Sequence, residues 1–212
     1  DFIMPLLELI VKREKIGDIL ALGVKQAAEK LGKGAEKYAI HANGQGLPMH
    51  DSKHTPSLGT TYAVDPTPGR HTAASIDFME VGPVAVFLKG MKIPKHKRYD
   101  YGSKGAAQAK MAKIHQALNS LGFCIFGTRN GRMEVLEMLE GATGWKITNE
   151  ELEEIGFRIQ TLRQQFNARE GAIRHHLHPR AIGLPPQSKG PMKGVTLDIE
   201  AMVKDYYSNM DW

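Results

Sequence analysis

The chain has 212 residues, 42% hydrophobic and 24% charged, with a formal net charge of +5. That length can bury a sizeable core in one or two domains, and the balance is that of an ordinary globular protein. No apolar run reaches membrane-spanning length; the longest candidate, residues 83–88, is far too short. The single cysteine excludes an internal disulfide and fits a reducing, cytoplasmic setting, while the modest positive charge permits acidic partners without demanding them.

In chain order, Phe2, Leu6, Leu9 and Ile10 predict an amphipathic helix over residues 2–14. A second helix is expected to start near Gly17-Asp18, with Ile16, Ile19, Leu20, Val24, Ala27, Ala28 and Leu31 as its apolar face. Gly32 or Gly34 would end it. Residues 37–42 alternate weakly, as a short strand would. From 44 to 101 the periodicity dissolves into a long stretch punctuated by glycine and proline, read as an ordered functional loop region. Periodicity returns at Lys104. Met111, Ile114, Leu118 and Leu121 form a helical stripe that places Cys124 on the same buried face.

Residues 132–141 predict a shorter helix with Val135, Leu136 and Leu139 inward. Thr148 and Glu151 then spell a capping box, opening a helix to about Arg169 whose apolar repeat is Leu152, Ile155, Ile159, Leu162 and Phe166. An irregular connector spans 173–194, and a last helix runs over 197–207 with Ile199, Met202, Val203 and Tyr206 on one side. The expectation is a mainly α, multihelical protein: two packed helical domains, 1–102 and 103–212, with a long ordered loop region. The absence of an initiator methionine and the abrupt finish at Trp212 suggest a piece of a longer polypeptide.

Few residues carry chemistry. Cys124 follows Asn119-Ser120-Leu121-Gly122-Phe123, and Gly122 leaves room for a bulky group near the backbone. A lone thiol there reads either as buried and inert or as a ligand. Pro68-Gly69 suits a type II turn that presents Arg70 and His71, a phosphate- or carboxylate-binding group beside a proton-transferring one. His175, His176 and His178 cluster without a zinc spacing, and His50, Asp51 and His54 invite the same weak metal reading. The basic run from Lys89 to Arg98 lacks interleaved aromatics and reads as a solvated face rather than a nucleic-acid site. There is no P-loop, dinucleotide fingerprint or nucleophile elbow; Asp100-Tyr101-Gly102-Ser103-Lys104-Gly105 has the wrong spacing for a phosphate loop.

Seven segments in register resemble the C-terminal half of the aldehyde ferredoxin oxidoreductase family, tungsten- or molybdenum-dependent bis-pterin enzymes. They are residues 17–25 running into 27–32, Leu47-Pro48-Met49-His50-Asp51, Pro68-Gly69-Arg70-His71-Thr72 and Leu121-Gly122-Phe123-Cys124. Phe166-Asn167-Ala168-Arg169-Glu170-Gly171, Leu184-Pro185-Pro186 and Gly190-Pro191 continue the series. The resemblance implies that Cys124 is the fourth ligand of a 4Fe-4S cluster, with Gly122 and Phe123 in the motif beside a pterin. Asn119 stands where the family has an aspartate that contacts the pterin; its amide oxygen still accepts a hydrogen bond but brings no charge.

By the same resemblance His71 lies near the metal and assists proton transfer, with Arg70 beside the cofactor. The other three cluster ligands and the main pterin-binding domain would lie upstream in the same polypeptide, leaving this piece cofactor-free and inactive. The implied reaction oxidises an aldehyde to a carboxylate, passing electrons through the cluster to ferredoxin. Another substrate, such as a thioester-bound ring to be reduced, stays open, as does a homodimer; nucleic-acid and membrane partners are not expected.

Overall fold

The computed structural model describes residues 2–73, 76–81, 88–128 and 133–212. The apolar run at 83–87 and the expected helix start at Arg132 lie outside the described residues. The architecture is mainly α and multihelical, as the periodicity predicts, with one two-stranded antiparallel ribbon among the described residues. No helix among the described residues is long and apolar enough to cross a membrane.

The chain opens with α1 (Ile3–Lys12), α2 (Ile16–Leu20) and α3 (Val24–Leu31). The single helix expected over 17–32 is two, because Gly23 has φ +81 and turns the chain between them. Gly17 lets α2 approach α1: a Cβ there would lie 2.2 Å from the Leu9 backbone. The expected apolar face of α2 and α3 is mostly open, with Ala27 and Ala28 buried but Ile16, Leu20, Val24 and Leu31 exposed. The weakly alternating stretch resolves into a 3₁₀ turn (Ala35–Tyr38) and β1 (His41–Ala42), paired with β2 (Gln45–Gly46).

The supposed loop region contains α4 (Pro56–Val64) and the short α5 (Asp77–Val81). Every residue of α4 is buried, so it shows no amphipathic periodicity and its Ser, Thr and Gly content hides it. Pro56 starts α4 at a position where its missing N–H costs nothing.

The molecule is organised around α6 (Gly105–Ser120), which contributes to three apolar clusters. Ala109 and Ala112 meet Ala63 and Val64 of α4 and Ile199, Val203 and Tyr206 of α10 (Ile199–Asn209). Ile114, Ala117 and Leu118 meet Leu88, Val135 and Leu152; Ala107 and Met111 meet Ile76. Val135 begins α8 (Val135–Thr143), and Leu152 belongs to α9 (Asn149–Arg169). The capping box forms as spelled: Glu151 N–H donates to Thr148 Oγ1 at 3.1 Å and Thr148 N–H to Glu151 Oε2 at 2.8 Å.

The buried face of α9 differs from the expected one. Leu152, Gly156, Gln160 and Gln164, spaced by four, face inward, whereas Leu162 and Phe166 are 69% and 57% exposed. The glutamines turn in because they hydrogen-bond groups of the chain crossing beneath: Gln160 to Asp65 at 3.3 Å and Gln164 to the Ile173 carbonyl at 2.6 Å. Satisfied polar groups outcompete the apolar stripe for the interior position.

An ion pair lies within this core. Lys104 and Glu80 are 2.6 Å apart, their side chains 1% and 0% exposed. The ammonium also donates to the carbonyls of Lys97 and Arg98, and Glu80 accepts from Ser57 N–H and Oγ. Burial pulls the Lys104 pKa down, and Glu80 works against that shift. Glu80→Gln leaves the buried ammonium uncompensated and should cost about 3–5 kcal/mol in urea unfolding. Two glycines give opposite signs for the same change. At Gly156 a Cβ would lie 1.7 Å from the Lys113 carbonyl oxygen, so Gly156→Ala should destabilise by about 1–3 kcal/mol or more. Gly141, with open space in α8, should gain up to about 1 kcal/mol as alanine, measured in the same titration.

Candidate functional site

Cys124 does not continue the buried face of α6; it is exposed. Two residues intervene to break the helical period. Phe123 N–H bonds the Leu118 carbonyl at 3.1 Å and Gly122 N–H the Asn119 carbonyl at 3.1 Å. That pair of bonds is a Schellman motif, with Gly122 at φ +77 in the left-handed position and Phe123 folded back onto the cluster containing Leu118. The chain is thereby reversed, and Cys124 leaves on the outside. Its carbonyl starts the short α7 (Ile125–Thr128) by accepting from Gly127 and Thr128. Asn119 is exposed just before the turn, and a Cβ on Gly122 would meet nothing within 4 Å. The thiol therefore stands at an accessible, sparsely covered surface rather than in aliphatic packing.

The loop carrying Arg70 and His71 is fixed from its beginning. Asp65, with its side chain fully buried, accepts from Thr67 N–H at 2.9 Å, from Gln160 at 3.3 Å and from Arg163 at 3.5 Å. Asn167 holds the Pro66 carbonyl at 2.7 Å, and Arg163 the Thr67 hydroxyl at 2.8 Å. The turn at Pro68-Gly69 is present, with Gly69 at φ +68 as a type II turn requires. Space there is tight as well, since a Cβ would lie 3.1 Å from Gln45 Cγ and 3.3 Å from the Gly46 carbonyl oxygen. Arg70 and His71 follow, both half-buried; Arg70 Nε donates to Thr72 Oγ1 at 3.5 Å.

Sequence reasoning missed what faces His71. The His50 ring lies against it, centroids 4.7 Å apart and planes 38° apart. His50 is positioned by its backbone carbonyl, which accepts from the buried Tyr62 hydroxyl at 3.2 Å. Burial raises the Tyr62 pKa far above the ordinary phenol value, so at neutral pH the hydroxyl remains a donor. The available signal was the motif Leu47-Pro48-Met49-His50-Asp51, whose histidine was read for a metal instead.

None of the suspected metal clusters forms among the described residues. His54 accepts from Arg98 at 2.6 Å, and Asp51 pairs with Lys53 at 2.8 Å. His175 is buried as a structural link: its Nε2 donates to the Asp65 carbonyl at 2.7 Å, so Nδ1 accepts from Asn43 at 3.1 Å. His178 joins the Glu36 carbonyl at 3.0 Å. The basic run is partly spent on surface contacts within the chain, Arg98 on the His54 carbonyl and Lys89 on Glu134 and Glu137.

Two adjoining cavities lie near this region, and the smaller one reaches His50. One of about 280 Å³ is lined by Leu47, Met49 and His50, and shares Ile40, Asp51 and Lys53 with another of about 760 Å³. The picture is a helical scaffold presenting one accessible thiol, a histidine pair and adjoining cavities, but no complete metal-ligand set among the described residues.

Comparison with known proteins supplies the family. The family described as aldehyde ferredoxin oxidoreductase, domains 2 and 3, matches residues 1–212, and the chain belongs to it. It is 30% identical over 210 residues to the tungsten-containing aldehyde ferredoxin oxidoreductase of Pyrococcus abyssi, covering 96% of this chain and 32% of that protein. The corresponding Pyrococcus horikoshii enzyme gives the same figures. An aliphatic sulfonate oxidoreductase, WOR-like subunit, of Pyrococcus furiosus is 30% identical over 224 residues, covering 98% of this chain and 31% of that subunit. The chain thus spans about a third of the length of these relatives.

The turn before Cys124 can be tested directly. Because space at Gly122 is open, Gly122→Ala should lose only the backbone term, about 1 kcal/mol in urea unfolding. Gly122→Asn should lose less, since asparagine tolerates the left-handed conformation.

Proposed function

We propose that this chain forms the C-terminal, cofactor-facing part of a tungsten- or molybdenum-pterin aldehyde:ferredoxin oxidoreductase. The observation that carries the reading is Cys124: the chain's only thiol, exposed beyond an open glycine turn, where the motif resemblance would put a cluster ligand. A cluster ligand must be a reachable thiolate, and the surroundings of Cys124 fit that requirement. When bound, the metal-pterin centre and its 4Fe-4S cluster supply the two-electron oxidation of aldehyde and water to carboxylate and the one-electron delivery to ferredoxin.

This chain's residues would do the rest. Cys124 would give its thiolate as one ligand, the other three coming from elsewhere in the polypeptide. Gly122 and Phe123 would offer backbone, and Asn119 its amide, to the pterin edge. His71 would take up the proton released as water adds to the carbonyl carbon, with the facing His50 ring limiting its orientation. Arg70 would hold an anionic group of the cofactor. The chain alone, lacking the remaining ligands, would be inactive. A second reading, oxidation of a sulfonate-bearing substrate by the same centre, is favoured by the match to the sulfonate oxidoreductase subunit.

Cys124→Ser in the whole enzyme, purified without oxygen, tests the central assignment. It should lower iron by about four atoms per chain and remove the broad visible absorbance of the cluster. Retention of both would remove Cys124 from the ligand set. Dye reduction by the unaltered enzyme with an aliphatic aldehyde, set against an aliphatic sulfonate, separates the two substrate readings.

A further inference from the structure

We infer that the 760 Å³ cavity is a binding site for a small organic anion with an apolar body, an aliphatic carboxylate or sulfonate. Its size falls in the range of small-molecule sites, about 300–1,000 Å³. Lys37, Lys53, Arg180 and Lys189 line it against a single carboxylate, Asp51, and Tyr38 and the Leu184-Pro185-Pro186 segment supply apolar wall. A concave site with that excess of positive charge raises the local concentration of anions.

One of the cations, Lys53, is built in, while Lys37, Arg180 and Lys189 are exposed at the rim. The Lys53 side chain is only 6% exposed, its ammonium 2.8 Å from Asp51 and 3.3 Å from the Arg180 carbonyl. An ammonium has three donors, so one remains for a ligand beyond these two contacts. Arg180 is held by a 3.4 Å hydrogen bond to the Lys37 carbonyl and by its guanidinium lying 5.4 Å from the Tyr38 ring centre. No carboxylate pairs with Arg180, Lys37 or Lys189 among the described residues. A preorganised guanidinium with unspent donors matches the planar or tripodal oxygens of a carboxylate or sulfonate. The leucine and proline wall distinguishes this site from one for a bare inorganic ion, because it rewards an alkyl chain.

The shared residues Ile40, Asp51 and Lys53 place this cavity next to the one lined by His50, whose ring meets His71. The inference nevertheless does not rest on the oxidoreductase reading: it concerns binding, and its test needs no turnover.

Calorimetric titration of the whole enzyme with hexanoate, hexan-1-ol and inorganic sulfate is the experiment. Hexanoate should bind at least about tenfold more tightly than either control, since the alcohol lacks the charge and sulfate the alkyl chain. Arg180→Gln should weaken hexanoate about tenfold or more. Lys189→Glu, a change at an exposed residue that leaves the packing intact, should weaken it in the same direction. The proposal is overturned if hexanoate shows no binding, if sulfate binds equally well, or if Lys189→Glu leaves hexanoate affinity unchanged.

Discussion

The placement of the candidate site depends on one buried carboxylate. Asp65 ends α4, and its side-chain oxygens gather Thr67 N–H, Gln160 and Arg163 while its carbonyl receives His175. A group so buried is tolerable only when its lone pairs are filled. Filling them requires that α9 turn Gln160 inward and that the 173–178 segment return beneath α4. The loop to His71 therefore leaves Asp65 in a direction set by three separate parts of the chain. His71 meets His50 because both ends of that stretch are anchored, the other end through Tyr62.

A second constraint acts at the opposite end of the loop region. Lys104 spends its three ammonium donors on Glu80 and the carbonyls of Lys97 and Arg98, while Glu80 holds the start of α4 through Ser57. The pair ties α4, α5, the 97–98 segment and the first turn of α6 together where few large apolar side chains are available. Its contribution is directional rather than large, since desolvation consumes much of the attraction.

The helices whose sequences carry their own punctuation were legible. α9 has its capping box and ends at Arg169 as expected, and the inward residues of α10 are those its period selects. α4 was not legible, because a helix buried on every side has no polar face to reveal a period. The inward face of α9 was misread for the converse reason: polar residues with fixed partners took the interior. Cys124 was drawn inward by extrapolating a period across Gly122, where the left-handed turn cancels it. The family resemblance pointed to Cys124 and His71 by motif, whereas the contact of His50 with His71 arises only through long-range folding. No local pattern announces a contact made across α4.

The close crossing of α6 and α9 bears on how the two parts of the candidate site relate mechanically. With Gly156 seated against the Lys113 carbonyl, the two backbones leave no room for a side chain between them, and neither helix can slide or roll against its neighbour without collision. One of these helices holds the loop to His71 through Gln160, Arg163 and Asn167; the other ends in the turn that carries Cys124. Histidine and thiol are thus carried by two helices in direct backbone contact, so a displacement of either helix is passed on to the other.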